Sequence, residues 1–476
     1  MTVYTILFVC FAFGAVVYCA WRKSQGNASQ PFVTLYVSPD SAVLPHSGEG
    51  ERTKTPPRTF AELLRDKVPS LGPEAAFNGV WWLPGGHLQT MYCSVGDFTN
   101  VDPVVFERRV LFEAPQLPDE GIVAVDVSPP FTSEPIAKGE NVLLVAHGLT
   151  GGSHEAYVRA LVARVTQSKQ KGGLGFRAVV LNFRGCNGTP LTTPRLYHAG
   201  SSDDIRHVVL WICHTFPKCR LYGAGYSLGG NILAKYAGEE GEKCPMQALV
   251  TLANPWDFLE GSHHLPSTLL GRHVYRYVLG GALRRLLQMH AKVFLDAPKL
   301  PISRSQLEDV LHRSRITLRA WDELVTAPLY GFDGPYDYYA KISSSRHVQN
   351  IRIPCLAINS IDDPITGSED LPIREICESP WVVLAVTRTG GHLGWFERAP
   401  DGRIAPWYVE PVEQLLAALV DYDLESREKP RGVVDKADSG FVRQDGRPDV
   451  GFRVLSPEQS KLLVSGVQVS KLFSGW

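Results

Sequence analysis

The sequence contains no C-x-x-C pair and no cluster of cysteine and histidine, although it has 9 cysteines and 14 histidines. These absences argue against a structural zinc site and a disulfide framework, so we expect reduced, separately buried thiols. Neither sign of charge dominates, and the formal net charge of -1 gives nucleic-acid binding no electrostatic support. No Lys-Ser or Lys-Thr pair completes a P-loop at the glycine-rich turn 184–188. We therefore expect no metal, no cofactor and no nucleic-acid partner.

The chain has 476 residues, 44% of them hydrophobic, which suits one large domain with insertions rather than several small modules. Short apolar runs typical of buried strands alternate with amphipathic helical patterns such as that of residues 202–214. This alternation predicts an α/β fold whose mostly parallel sheet is flanked by crossover helices. The eight predicted strands are 104–112, 122–127, 142–146, 178–183, 221–225, 248–252, 356–360 and 382–386.

The most specific pattern is the pentapeptide GYSLG at residues 225–229, which joins a strand-like run to a helix-like run. A serine at such a turn, between two glycines, is typical of a nucleophile whose hydroxyl projects clear of the sheet. The alternative interpretation is an ordinary helix N-cap, which the two flanking glycines argue against. We therefore predict that Ser227 is a catalytic nucleophile.

A serine nucleophile needs a base to take its proton and an acid to orient that base. Further along the chain, the predicted strand 356–360 leads into two acids, Asp362 and Asp363. The last predicted strand, 382–386, is followed by two glycines and His392. Serine, acid and histidine in this chain order match hydrolases that carry the same nucleophile turn. We predict that His392 is the base.

Two neighbouring carboxylates compete for the acid role. Asp363 directly precedes Pro364, which is the usual setting of a triad acid, so we assign the role to Asp363. Asp362 is then interpreted as a turn-forming residue. A lone histidine is usually structural, but the position of His392 after the last strand favours the catalytic interpretation.

Acyl transfer also needs fixed N–H groups that point at the developing negative charge on the carbonyl oxygen. The predicted strand 142–146 runs into a His-Gly turn that begins at His147. Such a turn supplies one donor in hydrolases of this type, and the amide after the nucleophile supplies the other. We assign the backbone amides of Leu149 and Leu228 to this oxyanion hole. His147 is interpreted as a structural residue of the loop rather than a second base.

Five motifs in order resemble the membrane-anchored α/β-hydrolase-domain lipase and esterase family: HGLTGG, NFRGCNGTPLTTPRLYHAG, GYSLGGNIL, NSIDDPI and GGHLGWFE. That family includes the bacterial YheT-type hydrolases and the fungal medium-chain ethyl ester synthases. A sixth segment, GHLQT at residues 86–90, is similar to a further signature of the family. The resemblance extends from about residue 84 to about residue 420. It implies the α/β-hydrolase fold and a triad of Ser227, Asp363 and His392, with a structural or entrance-lining part for His87.

The segment 2–21 contains no charged side chain and is long enough, as a helix, to span a bilayer of about 30 Å. It lacks the preceding positive charge and the cleavage site of a signal peptide, which is the alternative interpretation. We therefore predict an uncleaved single-pass membrane anchor. Arg22 and Lys23 directly follow it and favour a cytosolic catalytic domain, on the endoplasmic reticulum or a lipid droplet. Residues 22–58, rich in Ser, Pro and Gly, are predicted to form a flexible tether.

The hydrolase domain is predicted over residues 59–424, with a helical cap insertion at 257–346. That insertion carries apolar and aromatic side chains together with several arginines, which suits a substrate with an acyl chain. The arginines fit equally well on ordinary solvated helices. The polar, charged tail at 425–476 is predicted to be disordered.

These features together predict a membrane-anchored serine hydrolase that cleaves acyl esters of lipid-like substrates. Transfer of the acyl group to an alcohol, as in an acyl-CoA:alcohol acyltransferase, and phospholipase activity are alternatives within the same chemistry. A non-catalytic, membrane-tethered lipid-binding protein is the alternative from another class. The sequence leaves acyl-chain length, head group and oligomeric state open.

Overall fold

All eight predicted strands form, and they lie side by side in one sheet of the computed structural model. The structure describes residues 31–45, 57–96, 98, 103–113, 121–369, 371–422, 424–435 and 440–464. In chain order its strands are β1 (Val33–Tyr36), β2 (Glu107–Glu113), β3 (Ile122–Ser128), β4 (Asn141–Ala146), β5 (Arg177–Asn182), β6 (Arg220–Tyr226), β7 (Met246–Leu252), β8 (Cys355–Ser360), β9 (Val382–Thr387), β10 (Phe396–Arg398), β11 (Ile404–Pro406), β12 (Gly432–Val434), β13 (Val442–Gln444) and β14 (Arg447–Val454).

Crossover helices connect the parallel strands. The α-helices are α1 (Phe60–Lys67), α2 (Gly86–Val95), α3 (Ala156–Thr166), α4 (Ser202–Thr215), α5 (Leu228–Glu240), α6 (Phe258–Ser267), α7 (Arg276–Met289), α8 (Ala291–Leu295), α9 (Arg304–His312), α10 (Leu318–Trp321), α11 (Ala327–Tyr330), α12 (Pro335–Ile342), α13 (Ile373–Glu378), α14 (Val409–Tyr422) and α15 (Pro457–Val464). Two π-helical turns, Gly271–Tyr275 and Asp322–Thr326, lie within the segment between β7 and β8.

The strands follow the order β1-β9-β8-β7-β6-β4-β5-β3-β2-β14-β13-β12. Pairing is parallel from β5 through β4, β6, β7 and β8 to β9. The pairs β3 with β5 and β2 with β3 are antiparallel. A parallel sheet of this kind places the carboxyl ends of its strands at one common edge, where ligands bind.

The central strands are apolar on both faces because helices cover both sides of the sheet. In β4, Leu144 packs in the cluster that contains Val208 of α4. Its neighbours Leu143 and Val145 point the other way, into the cluster that contains Leu161 of α3. This alternation explains why each central strand reads as a continuous hydrophobic run.

The predicted flexible tether is corrected for part of its length. Residues 33–36 form β1, which pairs antiparallel with β9 and adds an edge strand to the sheet. Phe32, Val33 and Leu44 are buried. The apolar residues of this short strand are surrounded by Ser, Pro and Gly, and that composition obscured it in the sequence.

The predicted disorder of the C-terminal tail is also corrected. Strands β12 to β14 extend the sheet beyond β2, and α15 follows them. Phe441 and Phe452 are buried there. An edge hairpin buries one face only, so its overall composition stays polar and resembles that of a disordered segment.

The predicted membrane anchor, residues 2–21, lies outside the described residues. Among the residues that the structure describes, no helix is both long enough and apolar enough to cross a bilayer.

Candidate active site

Ser227 occupies a strained turn between β6 and α5. Its backbone has φ 50° and ψ -119°, a conformation that a residue other than glycine rarely adopts. The turn requires the neighbouring glycines: a Cβ on Gly225 would lie 2.6 Å from the carbonyl oxygen of Gly229. A Cβ on Gly229 would lie 2.4 Å from the carbonyl oxygen of Ala146. The GYSLG pattern is therefore explained by close backbone approach on both sides of the serine.

The structure brings Ser227 together with His392 and Asp363, although they are far apart in the sequence. The distance from His392 Nε2 to Ser227 Oγ is 2.7 Å. On the other side of the ring, His392 Nδ1 lies 2.8 Å from Asp363 Oδ2. The three side chains follow β6, β8 and β9, so all of them lie at the carboxyl edge of the sheet. This is the geometry of a nucleophile, a base and an acid that orients the base.

Asp363 is held as a carboxylate in a buried position. Burial raises the pKa of this carboxyl, but the charge and hydrogen bond of His392, together with two backbone hydrogen bonds, lower it, and the net pKa lies below its usual value. The two backbone donors are the N–H groups of Ile365 and Thr366, which donate to Oδ1. One carboxylate oxygen thus faces the imidazole while the other is fixed by the chain that follows it.

Asp362 has a different set of partners from Asp363. Its Oδ1 accepts hydrogen bonds from the N–H of Gly391 at 2.9 Å and the hydroxyl of Ser360 at 2.6 Å. Its Oδ2 accepts from the hydroxyl of Thr389 at 2.7 Å. Asp362 therefore fastens the loop that carries His392 to the end of β8.

Helix α2 packs against the loop that carries His392. The hydroxyl of Thr90 accepts the backbone N–H of His392 at 2.8 Å and donates to the carbonyl of Gly86 at 2.7 Å. Gly86 has no room for a side chain, since its Cβ would lie 1.9 Å from the carbonyl oxygen of Asp362. Gln89 accepts the N–H of Phe396 at 2.7 Å. The GHLQT segment thus positions the histidine loop, a role that the sequence did not predict.

His87, in the same helix, faces the cap. Its Nδ1 lies 2.9 Å from the Tyr275 hydroxyl, and the two rings are stacked with centroids 5.7 Å apart. Burial lowers the pKa of His87. His87 thus contacts the cap, and its structural or entrance-lining part stays a prediction.

The loop after β4 contains Leu149, and Leu149 and Leu228 line the same cavity as Ser227. Leu228 is the first residue of α5, where helix amides have no partner within the helix. The Tyr157 hydroxyl accepts the N–H of Gly148 at 3.0 Å and so fixes the loop. These positions suit the two predicted oxyanion donors.

His147 is fully buried, and both of its ring nitrogens face backbone groups. Nε2 accepts the N–H of Phe183, and Nδ1 lies 2.7 Å from the carbonyl of Gly148. Burial lowers the pKa of His147 to about 4. The side chain therefore braces the loop as a neutral imidazole.

The predicted cap segment contributes most of the wall of a cavity that includes Ser227. Its lining is predominantly apolar and aromatic. Cap residues in this lining include Leu265, Leu279, Leu283, Leu318, Trp321, Val325, Leu329, Tyr330, Tyr338 and Tyr339. A cavity with this apolar lining suits an acyl chain.

One carboxyl group, Asp322, lies in this apolar wall. Burial raises its pKa to about 7, while hydrogen bonds from Tyr339 at 2.7 Å and Thr326 at 2.9 Å act in the opposite direction. The burial of Asp322 was not predicted, because nothing in its local sequence indicates that the cap covers it. Among the described residues, no group of three or more His, Cys, Asp and Glu side chains is arranged to hold a metal ion.

Comparison with known proteins supports the α/β-hydrolase fold. Residues 141–277 match the family described as alpha/beta hydrolase fold. The monoacylglycerol lipase of Saccharomyces cerevisiae is 33% identical over 398 residues, which cover 76% of this chain and 85% of the yeast protein. The chain belongs to the α/β-hydrolase family of lipases and esterases.

Two further members of this α/β-hydrolase family are similar over most of their length. The medium-chain fatty acid ethyl ester synthase/esterase 2 of Saccharomyces cerevisiae is 28% identical over 396 residues, which cover 71% of this chain and 86% of that protein. Phospholipase ABHD3 of Homo sapiens is 28% identical over 342 residues, which cover 71% of this chain and 78% of the human protein. As a member of this family of lipases and esterases, the protein is a carboxylic ester hydrolase.

Proposed function

We propose that this hydrolase cleaves acyl esters of lipids through a covalent acyl-enzyme on Ser227. One observation carries the proposal: the hydrogen-bonded series Ser227–His392–Asp363 opens into an apolar cavity. A hydroxyl alone is a weak nucleophile, and an imidazole within 2.7 Å supplies the base that it needs.

In the first step His392 Nε2 takes the proton of the Ser227 hydroxyl while Oγ forms a bond to the ester carbonyl carbon. The carbonyl oxygen becomes negatively charged, and the amides of Leu149 and Leu228 donate hydrogen bonds to it. His392 then gives the proton to the leaving alcohol oxygen as the ester bond breaks, which leaves the acyl group on Ser227. The ionised Asp363 stabilises the positive charge that His392 carries between these events.

In the second step His392 removes a proton from water, and the hydroxide oxygen attacks the acyl carbonyl. The bond to Ser227 Oγ breaks, the serine regains its proton from His392, and the fatty acid leaves. The apolar lining of the cavity supports an acyl chain as the group that is bound, because it offers few hydrogen-bonding partners.

A fluorophosphonate probe tests the nucleophile. Ser227→Ala is expected to abolish labelling and ester hydrolysis while leaving the far-ultraviolet circular dichroism unchanged. Ser262→Ala is the matched control, because Ser262 lines the same cavity and donates its hydroxyl to the carbonyl of Leu259. Undiminished labelling of the Ser227→Ala protein would remove Ser227 from this role.

The same mechanism is compatible with different acyl acceptors and with different head groups on the ester. The similar proteins are a monoacylglycerol lipase, an ethyl ester synthase/esterase and a phospholipase, so they differ in head group and in acyl acceptor. We propose water as the acceptor, and added ethanol tests this, since ethyl esters form only if an alcohol competes for the acyl-enzyme. Digestion of a lipid extract, followed by mass spectrometry, distinguishes phospholipids from neutral esters.

The membrane anchor is proposed from sequence alone. Residues 2–21 carry no charged side chain, and Arg22 and Lys23 follow them at once. These features support one span with the catalytic domain on the cytosolic side. Alkaline carbonate extraction of cell membranes tests the span: the full chain is expected to stay in the pellet, and its release would contradict an anchor.

A further inference from the structure

An apolar stripe is exposed along the cap segment that runs from residue 269 through the π-helical turn into α7. Leu270, Val274 and Val278 recur at a spacing of four residues, so they lie on one helical face. Their exposed fractions are 41%, 41% and 53%, and the preceding Leu269 is 76% exposed. Four large apolar side chains grouped on one surface mark an interaction site.

The adjoining face of the same segment, offset by one residue from the stripe, lines the catalytic cavity. Leu279 and Leu283 are part of the cavity wall, and Tyr275 is buried between the segment and the rest of the domain. Only one helix therefore separates the exposed stripe from the space in which the acyl chain is proposed to bind.

The stripe also lies close to the catalytic loop. Tyr275 stacks on His87 of α2, and Thr90 of the same helix bonds to the backbone of His392. Burial raises the pKa of Tyr275 to about 12, and the negative charge of Asp363 contributes to the rise. Tyr275 therefore contacts the helix that also bonds to the loop carrying His392.

The charge of the segment is of one sign. Residues 261–295 contain no Asp or Glu, and their basic side chains are Arg272, Arg276, Arg284, Arg285 and Lys292. Arg272 and Arg285 are exposed, as is His273 beside the stripe. An apolar face flanked by basic side chains is the composition of a helix that lies in the interface of an anionic membrane. Two copies of this face brought together would place like charges against each other.

The start of the described chain lies at the same edge of the sheet as the triad. β1 pairs antiparallel with β9, and Val33 lies opposite Thr387, at the carboxyl end of β9. The described chain therefore enters the domain at the edge of the sheet that carries the triad. Residues 22–30 link this point to the apolar segment 2–21 and can span at most about 32 Å.

We propose that the cap face formed by Leu269, Leu270, Val274 and Val278 docks on a lipid bilayer that contains anionic lipid. The docked face holds the cavity wall against the membrane, so that an ester can pass from the bilayer to Ser227. The purpose of docking rests on the proposed lipid ester substrate, while the docking itself does not require hydrolysis.

Fluorescence of the full chain in vesicles tests the docking. Val274→Cys, labelled with an environment-sensitive dye, is reconstituted in vesicles of phosphatidylcholine and phosphatidylserine, with the labelled unsubstituted chain as background. We expect a blue-shifted emission, quenching by brominated lipid and protection from aqueous iodide. Val433→Cys is the matched control, because Val433 is 50% exposed on β12 at the far end of the sheet. A dye at residue 274 that is as accessible to iodide as the control overturns the proposal.

Two further measurements of iodide accessibility distinguish a lipid bilayer from other partners of the cap face. Vesicles without phosphatidylserine are expected to leave the dye more accessible, and equal protection would contradict the role of the basic side chains. Protection that appears in lipid-free detergent and rises with protein concentration would identify a second copy as the occupant and overturn the proposal.

A kinetic experiment measures the consequence of docking. In the double variant Val274→Glu, Val278→Glu, the ratio of turnover on vesicle-bound ester to turnover on a soluble short-chain ester is expected to fall about tenfold. The control pair Val433→Glu, Val434→Glu is expected to keep the ratio. An unchanged ratio in the cap variant contradicts docking. Dye insertion without any ester turnover would instead contradict the proposed hydrolase and leave the docking surface in place.

Discussion

Asp362 and Asp363 are neighbours in the sequence but have separate tasks in the structure. Asp363 bonds to the imidazole of His392, whereas Asp362 bonds to the hydroxyl of Thr389 and the N–H of Gly391. The first contact orients the proposed base, and the other two shape the loop that carries it. Exchange of each carboxylate for an amide therefore tests different properties of the enzyme.

Asp363→Asn is expected to lower kcat about 10³- to 10⁴-fold with little change in KM, because an amide neither stabilises the imidazolium nor fixes the tautomer. Steady-state kinetics on a soluble ester measure this effect. Asp362→Asn is expected to cost about 1–3 kcal/mol of unfolding free energy, with a smaller loss of kcat. The assignment is wrong if the Asp362 variant loses more kcat than the Asp363 variant.

The buried carboxyl of Asp322 predicts a pH-dependent stability. Burial raises its pKa to about 7 from 3.8, so the folded protein retains a proton that the unfolded chain has already released. Stability is therefore lost progressively as the pH rises from about 4 to about 7, and the loss persists above that range. Asp322→Asn removes this titration.

The Asp322→Asn protein is expected to be more stable than the unsubstituted chain at pH 8, on the order of a few kcal/mol, and by a smaller amount at pH 5, where only part of the stability has been lost. Urea unfolding at the two pH values measures the difference. A stability difference that is the same at pH 5 and pH 8 would show that Asp322 does not titrate between them.

At the scale of elements, the backbone of α2 lies against the loop that carries His392 and holds it in place. A Cβ on Gly86 would lie 1.9 Å from the carbonyl oxygen of Asp362, and a Cβ on Gly391 would lie 2.2 Å from the carbonyl oxygen of Gly86. The two backbones are in contact, so neither can move without shifting His392.

Gly86→Ala is expected to destabilise the protein by more than about 2 kcal/mol and to lower kcat, because the added methyl group displaces the histidine loop. Thermal unfolding and ester turnover measure the two effects. Gly281→Ala is the control: Gly281 lies within α7, and an added Cβ would lie 3.6 Å from the flexible end of the Arg285 side chain. That change is expected to be neutral or stabilising by up to about 1 kcal/mol. Equal effects of the two changes would contradict the packing argument.

The sequence predicted those elements whose signal is local. Strands such as β4, β8 and β9 are buried apolar runs, and the turn around Ser227 is specified by its own glycines. The sequence also placed Asp363 and His392 after the correct strands, although their catalytic roles stay a prediction. Thr90 was missed because its partner lies 302 residues away, and no local pattern encodes such a contact. The burial of Asp322 likewise depends on how the cap folds over the sheet.

At the scale of the whole molecule, segments outside the central sheet complete its two edges. β1 covers β9, and the hairpin strands β12 to β14 cover β2. Composition predicted flexibility for both segments, and both predictions were corrected by the pairing. Sheet edges are completed by short strands with one buried face, whose pattern is weaker than that of a central strand.

Truncation after residue 424 tests the structural role of the C-terminal segment. Loss of the buried side chains of Phe441, Val450 and Phe452 is expected to cost about 5 kcal/mol or more and to expose the β2 edge. Differential scanning calorimetry and sedimentation measure the lowered Tm and the expected aggregation. A truncated chain with the Tm of the full chain would support the disordered tail that its composition indicates.

The central claim is that Ser227 carries the acyl group of the substrate. Mass spectrometry of the full chain, acid-quenched during turnover of a medium-chain ester, measures this directly. We predict one added acyl mass on the peptide that contains Ser227, which disappears when the ester is exhausted. Ester turnover with no acyl mass on that peptide, or with the acyl group on another residue, would contradict the account.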